Sequence, residues 1–157
     1  MSPKRKVAVL VASHHPILLE GMKMILGSDP RVLVVGEVQN LWETPKKVRQ
    51  LHPDVLLLDI PDRYPHTLAT IRHAKEAHRK LRILALTLSG ALTPAGLYRK
   101  AGVSMFIHRG TTLKELLQMI HAPTRASKPH RGPGRRTPER VHKSHIKTFP
   151  LKGRVTA

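Results

Sequence analysis

The sequence predicts a doubly wound α/β domain, a five-stranded parallel sheet with crossover helices on both faces. Three observations carry that expectation. Five short apolar runs alternate with stretches whose apolar residues recur at helical spacing. The third run, Pro53-Asp54-Val55-Leu56-Leu57-Leu58-Asp59-Ile60-Pro61, is four apolar residues closed by an aspartate between prolines. That is the habit of a central strand buried on both faces. Finally, 157 residues suffice for one domain with a real core and a tail.

The elements follow in chain order. Lys4-Arg5-Lys6 is a basic lead-in to a first buried strand, Val7–Val11. Ser13-His14-His15-Pro16 breaks it, and Ser13 or His14 can cap the helix that Pro16 pre-organises. In that helix Ile17, Leu18, Met22, Ile25 and Leu26 share a face, and Gly27-Ser28-Asp29-Pro30 stops it. Val32–Val38 is the second strand, and Leu41–Leu51 is helical with Pro45 tolerated in its first turns. The third strand ends at Asp59, which either points into the ligand crevice of such a sheet or caps the following turn. After the loop Ile60–His66, Leu68, Ile71, Ala74 and Ala77 line a helix ending near Lys80. Leu81–Leu88 is the fourth strand, with Thr87 at its end. Ser89-Gly90 opens a loop to a helix over Pro94–Lys100, with Gly102 as its C-cap. Val103–Ile107 is the fifth strand, and Thr111 or Thr112 caps a last helix carrying Leu113, Leu116, Leu117 and Ile120.

Composition bounds the function. The chain has no cysteine, which excludes disulfides and thiolate metal sites and suits a cytoplasmic setting. Val7–Ala12, the longest early apolar run, is too short for a signal-peptide core or a membrane span. The net charge of +18 is unevenly spread: residues 1–121 hold 18 Lys and Arg against 9 acids, residues 122–157 hold 10 against 1. The domain is therefore placed at 1–121 and a Pro/Arg-rich tail, too poor in apolar residues to order itself, at 122–157. Arg125, Lys128, Arg131, Arg135, Arg136, Arg140, Lys143 and Lys147 give that tail the charge footprint of DNA or RNA binding. A solvated extension, or the remnant of a lost output domain, explains the same charge. If binding occurs and about five bases engage, affinity falls roughly 500-fold between 50 and 200 mM salt.

The order of His15-Pro16, Glu20-Gly21, Val34-Val35-Gly36-Glu37, Pro53 to Asp59, Leu86-Thr87 and Gly102 resembles the CheY-like receiver domain of two-component response regulators. It resembles most the subfamily that carries a helix-turn-helix DNA-binding domain after the receiver, a domain for which 36 residues of tail leave no room. The resemblance spans about residues 6–121 and implies a flavodoxin-like fold. It implies that Asp59 matches the phosphoacceptor, Thr87 the phosphate-sensing hydroxyl, Phe106 the aromatic switch and Arg109 the lysine that pairs with the phosphoryl group. Ser13 and His14 stand where the family has its acidic Mg²⁺-holding pair.

Those departures point one way. Mg²⁺ takes oxygen ligands, commonly carboxylates plus water and phosphate, and supplies most of the electrostatic help phosphoryl transfer needs. Asp59 beside a hydroxyl and an imidazole is a weak Mg²⁺ site, and Asp62 sits in a proline-flanked loop. Arg109 keeps the charge without the compact ammonium, so an Asp59–Arg109 ion pair in a vacated pocket is the favoured role. No other cofactor is expected. Among eleven histidines, His14-His15 and His142-x-x-His145 lack a third ligand at a plausible spacing, so no metal site is expected either. No phosphate loop or nucleophilic triad is present, and the chain is expected not to be an enzyme.

The expected function is a pseudo-receiver acting as a protein-interaction module in phosphorelay signalling and transcription regulation, with no membrane contact. A conventional phosphoacceptor at Asp59 and a nucleic-acid-binding protein acting through the tail remain the alternatives. A histidine kinase or other signalling protein is the expected partner. Leu92, Leu97, Met105 and Leu116 offer material for weak self-association.

Overall fold

The computed structural model describes residues 4–61, 66–87 and 95–123. All lie in the first of the chain's two units, Met1–Ala126. The expected disorder of the tail, its eight basic candidates, Asp62 and Leu92 fall outside the described residues. Five strands, β1 (Val7–Ala12), β2 (Val32–Val38), β3 (Val55–Asp59), β4 (Arg82–Leu86) and β5 (Val103–Ile107), pair in parallel in the order β2-β1-β3-β4-β5. The helices are α1 (Pro16–Gly27), α2 (Thr44–Leu51, preceded by a 3₁₀ turn at Leu41–Glu43), α3 (Thr67–Ala77), α4 (Ala95–Ala101) and α5 (Leu113–His121). The doubly wound fold expected from the alternating runs is the fold observed.

β3 shows why the sheet needs helices on both sides. All five of its residues are buried. Because strand side chains alternate, Leu56 and Leu58 join one core with Val48, Ile71 and Phe106, while Val55 and Leu57 join the other with Leu19, Leu26 and Ile120. Burying such a leucine side chain contributes about 2 kcal/mol, so the two layers together fix this strand at the centre.

Two glycines admit close neighbours. The β1–β2 register shifts between Val9 and Leu10, so that Leu10 pairs with Gly36. A Cβ on Gly36 would stand 2.8 Å from Leu51 Cδ1, which seats the end of α2. Gly102 ends α4 with φ +130°, a conformation other residues rarely adopt, and a Cβ there would collide with the Lys75 stem. The Lys75 ammonium donates to Arg79 O at 3.0 Å and Leu81 O at 2.7 Å, holding the turn after α3.

Several local expectations need correction. On α1 the buried residues are Leu19, Met22 and Leu26, whereas Ile17 is 85% exposed and Ile25 is also exposed. This helix is apolar on nearly every side, so spacing offers several stripes and the sheet selects one. Its N-cap position is His15, without a side-chain cap bond; Ser13 is not the cap because its hydroxyl is used elsewhere. α3 stops at Ala77, short of Lys80. Leu113 is exposed, while Ile120 is fully buried.

α5 is pinned at both ends. Thr112 and Glu115 form a reciprocal capping box at its start. At its end the Arg82 guanidinium donates to the carbonyls of Met119 (2.8 Å) and Ile120 (2.5 Å) in the last turn. His121 Nε2 lies 3.0 Å from Asp29 Oδ2 in the turn after α1. Among the described residues no helix is long and apolar enough to cross a membrane.

Candidate functional site

The strand order reverses direction between β1 and β3, and open α/β sheets bind ligands beyond the carboxyl ends of the strands at such a switch point. β1 delivers Ser13-His14-His15 there, and β3 delivers Asp59. Ser13 is fully buried, its amide donating to Val38 O at 3.0 Å, so the backbone at the end of β1 is fixed by the sheet edge.

The Ser13 hydroxyl organises the pocket. It donates to Asp59 Oδ2 at 2.7 Å and accepts from the His15 amide at 3.0 Å. Asp59 is buried, at 4% exposure, and His14 Nδ1 lies 3.9 Å from its Oδ2. The His14 and His15 rings meet edge to face with centroids 3.7 Å apart, and both side chains are exposed. One ligand atom from each of His14, His15 and Asp59 falls within 4.8 Å of the other two. The expectation that His14-His15 lack a third ligand is therefore wrong. Asp59 is remote in sequence, and parallel pairing of β1 with β3 brings it in. His15, set aside with His14 for want of that third group, lies with both in one cluster.

Mg²⁺ does not fit this donor set. It wants near-octahedral oxygen, whereas the described residues of the pocket offer one carboxylate, a hydroxyl already bonded on both sides, and two imidazoles.

The other candidates lie on β4 and β5. Thr87 is buried, and both its amide and its hydroxyl donate to Ile107 O, at 3.0 and 3.3 Å. This locks the ends of β4 and β5 together. Phe106 is buried in the core shared with α3 and α4, its ring 5.2 Å from the Arg99 guanidinium carbon in a cation–π arrangement. Arg109 is exposed in the turn after β5. Of the apolar residues expected to favour self-association, Leu97 is exposed, while Met105 and Leu116 pack against the core.

No family model matches the chain. It is 26% identical over 121 residues to the nitrate/nitrite response regulator NarL of Escherichia coli K12, a match covering 77% of this chain and 56% of that protein. It is 27% identical over 114 residues to the response regulator GacA of Pseudomonas syringae, covering 73% and 53% respectively. The signal receiver domain of NarL from Mycobacterium tuberculosis superposes with a TM-score of 0.62 at 26% identity, covering 74% of this chain and 94% of that one. The chain thus spans about half the length of the curated relatives it matches, and the matched part is the receiver.

Proposed function

The chain carries a CheY-like receiver domain of the response-regulator kind, and we propose that it works as a pseudo-receiver, a binding module of two-component signalling rather than a phosphoryl-transfer device. The observation that carries this reading is the Ser13 hydroxyl donating to Asp59 Oδ2 at 2.7 Å, where an acid would have to stand for Mg²⁺ to bind. A carboxylate attacking a phosphodonor needs its charge and the donor's neutralised, and neither serine nor a neutral imidazole does so. The output is then contact with a signalling protein, a histidine kinase among the candidates, in the service of transcription regulation.

Incubation with a small phosphodonor and Mg²⁺, followed by intact mass measurement, is the test. The expected result is no gain of one phosphoryl group. An Mg²⁺-dependent adduct that disappears in Asp59→Ala overturns the reading in favour of a working phosphoacceptor. Nucleic-acid contact by residues 122–157 remains a separate proposal, supported by ten basic residues against one acid. A chain ending at His121 should then bind unrelated duplexes far more weakly than the full chain.

A further inference from the structure

We propose that His14, His15 and Asp59 bind a borderline divalent transition-metal ion, Zn²⁺ foremost, in the place where receivers of this kind hold Mg²⁺. The proposal shares with the pseudo-receiver reading the premise that this pocket does not serve Mg²⁺, and adds what the pocket takes instead.

Geometry comes first. Ligand distances of about 2.0–2.2 Å put the donor atoms of a tetrahedral site about 3.4 Å apart. His14 Nδ1 and Asp59 Oδ2 are 3.9 Å apart, and all three donor atoms lie within 4.8 Å of one another. Both imidazoles are exposed and rotate about their own side-chain bonds, so closing the remaining gap needs no movement of β1 or β3. The exposed rings also leave an entry path from solvent.

Chemistry then selects the ion. Two imidazole nitrogens and one carboxylate suit Zn²⁺, Ni²⁺, Co²⁺ or Cu²⁺ and disfavour Mg²⁺ and Ca²⁺. Asp59 is the anchor, held in the buried pocket by Ser13, and the same hydroxyl holds the His15 amide. Ser13 is thus an outer partner that orients two ligands at once. Three protein ligands leave a fourth position for water or an anion, the arrangement of open rather than closed zinc sites.

The test titrates the full chain with Zn²⁺ against a chromophoric chelator, in a background where His130, His142 and His145 are glutamine so that the tail contributes no imidazole. One tight Zn²⁺ per chain is expected, unaffected by millimolar Mg²⁺. His14→Ala, His15→Ala and Asp59→Asn should each weaken binding more than about 100-fold, beyond the 10–100-fold usual for an outer partner. Ser13→Ala should weaken it about tenfold. Co²⁺ should give the intense visible bands of a four-coordinate ion, lost in His15→Ala. The two histidine variants alter exposed side chains, so folding is not at risk, and circular dichroism checks it. Weakening below tenfold at either histidine overturns the proposal. Failure to bind Zn²⁺ overturns this proposal and leaves the phosphodonor result standing, whereas an Mg²⁺-dependent adduct on Asp59 overturns the premise the two ideas share, so the two failures are told apart.

Discussion

Asp29 and Asp59 are buried to nearly the same degree, 6% and 4% exposed, yet their surroundings differ completely. Asp29 Oδ1 accepts from the Arg31 amide and Nε at 2.9 and 3.1 Å, and Oδ2 takes Arg31 Nη2 at 2.8 Å and His121 Nε2 at 3.0 Å. The Arg31 side-chain bonds above all, then its amide and His121, hold that carboxyl well below the usual carboxylate range. Asp59 has a hydroxyl at 2.7 Å and an imidazole at 3.9 Å. A buried charge is tolerated when paired and hydrogen-bonded. Asp29 meets that condition and ties α5 to the turn after α1. Among the described residues Asp59 is met by the Ser13 hydroxyl and the His14 imidazole alone, and the proposed cation site rests on that difference.

Variants can break or sharpen this contrast. The largest effect is expected where the Asp29 clamp meets the core. Ile120, fully buried and next to His121, should cost about 2–5 kcal/mol on truncation to alanine. Asp59→Asn, which keeps an acceptor for Ser13 and removes a poorly compensated charge, should leave the urea midpoint unchanged or raised. A loss in Asp59→Asn as large as that in Ile120→Ala would show that the Asp59 charge holds the fold as strongly as a core side chain.

Acid should separate the carboxylates next. Asp29 has a folded-state value below its unfolded one, so its contribution is complete above the unfolded value of about 3.8 and is lost as pH falls through the lower folded value. Urea unfolding between pH 5 and 2 should therefore show a steep loss of stability in the parent and a shallower one in Asp29→Asn. Parallel profiles would mean that Arg31 and His121 do not stabilise the charged form.

The smallest expected effect is Thr112→Ala. Removing the capping box at the start of α5 should cost about 1 kcal/mol, with the Asp29 clamp at the other end intact. Hydrogen exchange should quicken in the first turn of α5 and stay slow around Ile120. Uniform quickening along the helix would show that the clamp does not hold its end independently.

What could be read in advance follows the range over which each cause acts. The strands were legible because runs such as Val55–Leu58 and Val103–Ile107 carry their own signal, and the Thr112 cap because its partner Glu115 is three residues away. The convergence of Ser13, His14 and Asp59 came from the family pattern, and the structure places those three together. The His14-His15 pair was visible but was set aside for want of a third ligand, because its relation to Asp59 exists only once β1 and β3 pair. The Asp29–His121 and Arg82–Ile120 contacts join residues 92 and 38 positions apart and leave no local trace. The α1 face failed for the opposite reason, since its sequence is too uniformly apolar to single out Leu19 over Ile17.

The Lys75 side chain gives this domain a chemical clock. Its ammonium is committed to two carbonyls, burial pushes its pKa down, and its stem lies where any side chain at position 102 would stand. Acylating reagents should modify exposed lysines such as Lys46 or Lys114 fast and the half-buried, doubly bonded Lys75 more slowly, and faster once the turn after α3 lets go. The time at which Lys75 becomes modified, read against its fast-reacting neighbours, measures the opening of the α3–β4 corner from within the unaltered protein.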